Sequence, residues 1–310
     1  MSGEWIAITA VLTFVISNVL FRRTEREASP IFINFVRTLI GTITFLILSL
    51  SFNVFFQIFL LPFELWIILF ISFVFGQVIG DTAYFQAQKE IGTTNALAIS
   101  MVFPVITFIL SIIFLNDPFD IRVVVSLLLV SIGIYIIGKS KVSNNDGVLP
   151  QKDLNSNLRL KAIVYAILAA FGWAIGLIII DFATNEINNI LLTEGLSSVI
   201  GNIIRFPFAL LILLSMVIYE RNSKRNSNFR KRTGRTWIIL IIGALIGTSL
   251  GAYLYTEAAR VAGATIMALV ASASPLFSLP FTYFINGEKL TRFGFIGVIL
   301  TVLGVIVIVF

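Results

Sequence analysis

The stretch GQVIGDTAYFQAQKEIG, residues 76–92, has a counterpart in GTSLGAYLYTEAARVAG, residues 247–263. A shift of 171 positions superimposes two glycines four residues apart at the start of each stretch, a tyrosine in its middle and a glycine at its end. Chance matches in an apolar chain involve mainly hydrophobic residues, so shared glycine, proline, asparagine and arginine at constant spacing indicate an internal duplication. Further matches are Pro104 with Pro275 at the same shift, and Asn34 and Arg37 with Asn202 and Arg205 at a shift of 168.

The composition is that of a membrane protein. The chain of 310 residues is 58% hydrophobic and 12% charged, with a mean hydropathy of +0.99, whereas soluble domains carry roughly 25% charged residues. Its apolar residues come in blocks of about twenty, the length at which a helix crosses the hydrocarbon core. The pattern predicts an all-α membrane protein with ten transmembrane helices. The predicted spans are 5–21, 30–50, 65–87, 92–115, 121–138, 160–182, 195–219, 236–257, 264–285 and 293–310.

Each half of the duplication contains five predicted spans. Because five is odd, the second half must enter the membrane from the opposite side. We therefore predict two inverted five-helix repeats, residues 1–140 and 159–310, joined by a polar linker at 141–158. In transporters built this way, the solute site lies at the repeat interface near the membrane midplane.

The basic residues are distributed unequally between the two sides of the predicted membrane. The connections after helices 1, 3, 5, 7 and 9, together with Lys161 at the adjoining end of helix 6, hold 18 of the 22 Lys and Arg residues, and the opposite side holds Arg122 and Arg260. Since cytoplasmic loops carry the excess of basic residues, this predicts a plasma-membrane protein with both termini outside. The net charge of +6 is therefore explained by orientation, and no nucleic-acid partner is expected.

The sequence contains neither cysteine nor histidine. This excludes disulfides, thiolate nucleophiles and imidazole acid–base chemistry, and it removes the usual zinc ligands. We expect no metal, no cofactor and no enzymatic activity, because a membrane-embedded enzyme needs clustered acids or histidines. A scaffold that docks a partner on the basic 220–235 loop is a further alternative.

Several features together resemble the EamA-type branch of the drug/metabolite transporter superfamily. The resemblance spans essentially the whole chain and implies a secondary transporter in which helices 1–4 and 6–9 surround a central cavity. The superfamily includes exporters of amino acids and other metabolites, nucleotide-sugar carriers and sugar-phosphate carriers. The chain departs from the pattern at Asn116-Asp117-Pro118, where the second half has Gly-Glu-Lys. The features are Arg37 and Arg205 near the starts of helices 2 and 7, the stretches 76–92 and 247–263, the prolines in SMVFPV (100–105) and SASPLF (272–277), and the ending NGEKLTRFGFIGVILTVLGVIVI (286–308).

Charged groups inside the predicted spans are candidates for function, because each costs at least about 2.5–3.5 kcal/mol in hydrocarbon. Arg37 and Asp81 lie at similar depths, which allows an ion pair. Such a pair either holds helices 2 and 3 together or contacts the solute; alternatively, Asp81 accepts a coupling proton. Asn34 accompanies Arg37, while Gln77 and Tyr84 share a helix face with Asp81. Both polar stripes must face protein or a wet cavity.

The second half has no acidic residue at the position equivalent to Asp81. Arg205 is present, but the position equivalent to the helix-3 aspartate is Ala252. The expected partners of Arg205 are Asp181, Glu257 or an anionic group of the solute, which a guanidinium binds through two hydrogen bonds.

Two prolines are expected near the centres of helices 4 and 9. Pro104 and Pro275 would each free a carbonyl of the preceding turn, which either binds solute or only accompanies a packing kink. The remaining candidate solute contacts are Asn202, Tyr255, Ser272 and Ser274.

The sequence thus predicts a secondary transporter, and specifically an exporter, of a small polar metabolite such as an amino acid, working by alternating access. A nucleotide-sugar or sugar-phosphate exchanger is the alternative. The expected partners are the small-molecule solute, membrane lipid and, on one alternative, a coupling proton. No oligomeric state is indicated.

Overall fold

The computed structural model describes residues 2–139, 143–144, 156–223, 232–281, 284, 288–289 and 292–309. Helices make up nearly all of this part of the chain, and a 3₁₀ helix, Phe55–Leu60, follows the second of them. The helices are α1 (Gly3–Arg22), α2 (Pro30–Ser51), α3 (Phe63–Ile91), α4 (Thr93–Ser100), α5 (Phe103–Phe114), α6 (Ile121–Lys139), α7 (Ser156–Leu191), α8 (Leu196–Asn222), α9 (Gly234–Ala262), α10 (Ala264–Ser272), α11 (Ser274–Phe281) and α12 (Arg292–Val309).

Within the described residues, six helices are long and apolar enough to cross a membrane, which agrees with the predicted helical membrane protein. They are Gly3–Arg22, Pro30–Ser51, Phe63–Ile91, Leu160–Leu191, Leu196–Asn222 and Gly234–Ala262, and they coincide with predicted spans 1, 2, 3, 6, 7 and 8. Shorter apolar helices, Phe103–Phe114, Ile121–Gly133 and Gly294–Gly304, lie within predicted spans 4, 5 and 10.

The fourth and ninth predicted spans are each divided, which corrects the expectation of one helix with a central proline kink. The helix 92–115 is interrupted at residues 101–102, and Pro104 is the second residue of α5. The helix 264–285 is interrupted at Ala273, and Pro275 is the second residue of α11; residues 282, 283 and 285 lie outside the described residues. A proline is tolerated in the first turn because its missing N–H has no helical acceptor there.

The backbone repeats its irregularities at the spacing of the sequence duplication. A π-helical stretch occupies Val74–Asp81 within α3, and another occupies Leu245–Leu250 within α9. Gly92 ends α3 at φ 84°, and Gly263 ends α9 at φ 87°. Only glycine adopts this conformation readily, because it has no Cβ. The duplication seen in the sequence therefore extends to local backbone conformation.

Helices of the first half pack against helices of the second. The main pairs are α1 with α9, α2 with α8, α3 with α7, and α6 with α12. Glycines permit the closest of these approaches: a Cβ added at Gly172 would lie 2.5 Å from the carbonyl oxygen of Phe75, and one at Gly176 would lie 2.9 Å from the Cα of Gly76. The seam between α3 and α7 thus lies beside the first π-helical stretch, where small residues let backbones meet.

Hydrogen bonds join the connections at the end of the molecule that carries the basic loops. The α1–α2 connection contacts both ends of the 220–235 loop, because Ser29 donates to Glu220 and the backbone N–H of Thr233 donates to Glu27 at 2.8 Å. A two-residue strand, β1 (Ser143–Asn144), pairs antiparallel with β2 (Glu288–Lys289), which is distant in the sequence. The rest of the predicted linker up to residue 155, and residues 224–231, lie outside the described residues.

Candidate functional site

A cavity of about 120 Å³ lies between the two halves of the chain. This volume holds on the order of ten groups the size of a water molecule. Most of its wall is apolar, with Phe14, Phe103 and Met267 among the lining residues. Of the residues proposed from the sequence, those that line it are Arg37, Gln77, Asp81, Arg205, Tyr255 and Ser274.

Arg37 and Asp81 form an ion pair in the cavity wall. Arg37 Nη1 lies 3.1 Å from Asp81 Oδ2, and both side chains are buried. Arg37 Nε donates to the hydroxyl of Thr248 at 2.8 Å, and the indole N–H of Trp173 donates to Asp81 Oδ1 at 2.8 Å. Because Thr248 and Trp173 belong to the second half, the pair is attached to second-half residues at both ends.

Trp173 forms one side of the cavity and is held among aromatic rings. Its ring lies 5.3 Å from that of Tyr84 and meets Phe14 edge to face at 5.8 Å. Gly80 provides the space for it, since a Cβ there would lie 2.8 Å from Trp173 Cδ1. The indole that orients Asp81 therefore has a fixed position.

Arg205 reaches the same cavity without a carboxylate partner. Its Nε donates to Asn202 Oδ1 at 2.9 Å, and its two Nη groups donate to the hydroxyls of Ser72 and Thr256, each at 3.3 Å. The guanidinium carbon lies 4.9 Å from the ring centroid of Phe73, a cation–π contact. None of the ion pairs within 4.0 Å among the residues that the structure describes involves Arg205.

The two acids named as partners for Arg205 are bound elsewhere. Asp181 accepts hydrogen bonds from the backbone N–H of Ala264 at 2.7 Å and from Asn185 at 2.8 Å. Glu257 pairs with Arg260 at 2.6 Å and accepts from Ser198 at 2.8 Å. Neither Asp181 nor Glu257 therefore forms an ion pair with Arg205 within 4.0 Å.

Asn34 and Gln77 connect α2 to the first π-helical stretch. Asn34 Nδ2 donates to the backbone carbonyl of Gln77 at 2.8 Å, and Gln77 Nε2 donates back to Asn34 Oδ1 at 3.3 Å and to Thr38 at 3.1 Å. A π turn disrupts the regular helical bonding of carbonyls, and the Asn34 amide supplies a donor to one of them. Asn34 is fully buried behind the cavity wall, so its observed contacts are structural.

Tyr84 is fully buried and bonds away from the cavity, since its hydroxyl donates to Gln88 Oε1 at 2.7 Å. The hydroxyl of Ser274 donates to the backbone carbonyl of Ala271, and that of Ser272 donates to the carbonyl of Leu269. Among the residues that the structure describes, Tyr84, Asn202 and Ser272 are not part of the cavity wall. Pro104 is the second residue of α5, next to the lining residue Phe103, while the side chain of Pro275 falls outside the described part.

The described ranges contain no group of three or more His, Cys, Asp or Glu side chains placed to hold a metal ion. The polar groups in the cavity wall are thus an ion pair, one separate guanidinium, hydroxyls and an amide. This set can bind an anionic group and donate hydrogen bonds.

Comparison with known proteins identifies the family. The EamA-like transporter family matches residues 1–139 and 160–310. The chain belongs to the EamA-like transporter family. An uncharacterized transporter from Archaeoglobus fulgidus is 24% identical over 305 residues, covering 97% of this chain and 96% of that protein. A solved crystal structure shares the fold, with a TM-score of 0.73 at 15% identity, covering 99% of this chain and 96% of the other. The protein is accordingly a multi-pass membrane transporter with a small-molecule substrate.

Several residues of this EamA-like transporter's cavity were not identified from the sequence as functional. Ser72 and Thr248 hold the two arginines, and hydroxyls in apolar helices are too common to single them out. Trp173 offered a clearer signal, because a tryptophan between Gly172 and Gly176 in a membrane helix lies where another helix approaches closely. The structure places Trp173 in the cavity wall, where its indole N–H donates to Asp81.

Proposed function

We propose that this transporter exports a small metabolite with an anionic group, such as an amino acid, by alternating access. The observation that carries the proposal is Arg205, a buried guanidinium that lines the cavity and whose hydrogen-bond partners among the described residues are all neutral. A buried charge without a counter-ion is strongly unfavourable, so a site that retains one is suited to receive the opposite charge.

The geometry around Arg205 leaves room for a stronger partner. Both of its Nη hydrogen bonds measure 3.3 Å, longer than the usual value of about 2.9 Å. A carboxylate would bind both Nη groups in parallel at about 2.7–2.9 Å, in bonds roughly twice as strong. A solute carboxylate would therefore displace weak contacts to Ser72 and Thr256 without breaking an ion pair.

The size of the cavity favours a compact solute. A volume of about 120 Å³ accommodates roughly ten water-sized groups, which matches an amino acid or a similar organic anion. A nucleotide sugar has several times as many atoms, so this conformation favours the amino-acid class over the nucleotide-sugar alternative. The apolar wall around Phe14, Phe103 and Met267 would contact the part of the solute that carries no charge.

The ion pair between Arg37 and Asp81 is assigned a structural role. Oδ2 of Asp81 pairs with Arg37, and Oδ1 accepts a hydrogen bond from Trp173. Both carboxylate oxygens thus already have partners within the protein. Proton coupling through Asp81 is the alternative.

Alternating access follows from the architecture that we propose around this cavity, namely ten spans arranged as two inverted repeats, residues 1–140 and 159–310, with the linker 141–158 on the cytoplasmic side. The recurrence of π-helical stretches and glycine ends supports equivalent halves. The 18-to-2 distribution of basic residues supports a plasma-membrane protein with both termini outside, and the likeness to metabolite exporters supports outward transport.

The test is solute counterflow in proteoliposomes with a radiolabelled panel of amino acids, sugar phosphates and nucleotide sugars. We expect saturable counterflow of a small anion-bearing solute, and Arg205→Lys should raise its KM more than tenfold, because lysine cannot bind a carboxylate through two parallel bonds. The melting temperature of this variant should change little, since its partners Asn202, Ser72 and Thr256 remain.

The control is Arg122→Lys, an exposed arginine paired with Asp120 outside the cavity, which should keep the native KM. Counterflow of nucleotide sugars alone would replace the amino-acid class by the alternative. Unchanged affinity in Arg205→Lys, or a protein that carries no member of the panel, would overturn the proposal.

A further inference from the structure

Asn18 is a buried polar side chain whose amide group makes no hydrogen bond within the described residues. It lies on α1, is fully buried, and neither its amide nitrogen nor its amide oxygen has a hydrogen-bond partner among the residues that the structure describes. Buried side-chain amides in native proteins are nearly always bonded, so each exception calls for an explanation. An apolar residue of the same shape would avoid the unpaired donors and acceptor, which suggests that Asn18 is used in another conformation.

The position of Asn18 relates it to the cavity. Val11 and Phe14 line the cavity from α1, and Asn18 lies on the same face, because residues three, four and seven apart share one side of a helix. It is one turn, about 6 Å, beyond Phe14 in the direction of the basic loops. The cavity-lining face of α1 therefore continues through Asn18, and the next residue along it is Arg22.

A hydrogen-bonded cluster lies about one helical turn beyond Asn18, around Arg22. Arg22 pairs with Glu25 and donates to the backbone carbonyls of Gln88 at 2.6 Å and Lys89 at 3.2 Å, at the end of α3. Gln88 Nε2 in turn donates to Glu25 Oε1 at 2.7 Å. We call Arg22, Glu25 and Gln88 the basal cluster. It ties the end of α3 to the α1–α2 connection.

Burial of Glu25 in the basal cluster disfavours the ionised form of its carboxyl group. Removal of this carboxylate from water raises its pKa above the ordinary value, even though Arg22, Gln88 and Lys89 act in the opposite direction. Water could solvate the side chains of Arg22, Glu25 and Gln88 if the cluster separated. The loss of their mutual hydrogen bonds would then be partly compensated.

We propose that Asn18 lines the cytoplasmic leg of the solute path and that the basal cluster is the closure beyond it. This rests on the alternating access proposed above. When the cluster separates, the cavity extends along α1 to Asn18, and its amide offers a donor and an acceptor to water and to a polar solute in transit. When the cluster reforms, Asn18 is enclosed again.

The absence of natural cysteine permits a direct accessibility experiment. Asn18→Cys is treated with a small charged methanethiosulfonate on the cytoplasmic face of inside-out vesicles, alone and together with Arg22→Gln, which removes the central donor of the basal cluster. We expect labelling at least tenfold faster in the double variant. The matched control is Val19→Cys, which is equally buried on the same turn but points about 100° away, and should stay unreactive in both backgrounds.

A second measurement covers the case in which these variants fold poorly. In Asn18→Leu the unpaired amide is replaced by an apolar group of similar size. If Asn18 only fills space, the melting temperature should rise and transport should be unchanged; the proposal expects the same rise with at least a tenfold fall in the turnover of the transported solute.

The accessibility result needs no knowledge of the solute, so it can stand if the assignment of Arg205 fails. Equal, slow labelling of Asn18→Cys and Val19→Cys in both backgrounds would overturn the proposal. Undiminished transport by Asn18→Leu would do the same.

Discussion

Replacing Asp81 by asparagine should strongly destabilise the protein. The substitution removes the carboxylate that lies 3.1 Å from Arg37, whose side chain is 6% exposed. Among the described residues, this arginine then keeps its hydrogen bond to the Thr248 hydroxyl but has no counter-charge. Breaking one side of a buried pair costs about 3–5 kcal/mol. At roughly 2–4 °C per kcal/mol, the melting temperature in detergent should fall by roughly 6–20 °C, as followed by size-exclusion fluorescence after heating.

The second substitution in this test is Arg37→Gln in the same chain. Removing the unpaired charge should restore part of the loss, because two neutral amides tolerate burial better than a lone guanidinium. The transport assay distinguishes the alternative role: if Asp81 carries a coupling proton, Asp81→Asn should abolish accumulation against a gradient yet permit exchange between equal pools. An Asp81→Asn protein that melts normally and still accumulates solute would refute both accounts.

Three further predictions concern orientation, pH and packing. Cysteines at Asn145 and Asn228 should react with an impermeant thiol reagent only from the cytoplasmic side; labelling from outside intact cells would reverse the orientation. Because burial raises the pKa of Glu25, closure of the basal cluster takes up a proton, so labelling of a cysteine at position 18 should rise with cytoplasmic pH more steeply than thiol ionisation alone requires; in Glu25→Gln only the rise from thiol ionisation should remain. Gly80→Ala places a Cβ 2.8 Å from Trp173 Cδ1 and should cost about 1–3 kcal/mol, measured by thermal melting; an unchanged melting temperature would show that the indole relocates freely.

Much of the fold could be predicted from the sequence because the signals are local. Hydropathy locates helices such as Pro30–Ser51 to within a residue of its predicted bounds at 30–50, since a membrane helix must be apolar over its whole span. It fails where a helix leaves the apolar region: α7 continues to Leu191, past the predicted end at 182. The polar residues Asp181 and Asn185 end the apolar run but not the helical backbone, which Leu192 ends at φ 52°.

The candidate site could be predicted only in part. Depth along a helix follows from residue number, so the ion pair between Arg37 and Asp81 could be anticipated. The neighbours of a helix do not follow from residue number, so Trp173 and Thr248 could not be assigned to that pair. Arg260 lies three residues after Glu257 on the same helix, so their pairing was open to prediction, whereas the distance from Glu257 to Arg205 depends on how two helices pack.

The two halves of the cavity differ at the point where their sequences differ. Arg37 and Arg205 occupy equivalent positions of the duplication, and both are buried in the cavity wall. The first has an aspartate opposite it, which cancels its charge and ties α2 to α3. In the second half the equivalent residue is Ala252, which lines the cavity and brings no charge, so Arg205 contributes a positive charge that no carboxylate of the described residues neutralises within 4.0 Å. The duplication thus accounts for the scaffold, while the absence of an acid from the second copy accounts for an anion site. If both arginines were paired with a carboxylate, the cavity would have no unpaired positive charge for an anionic solute.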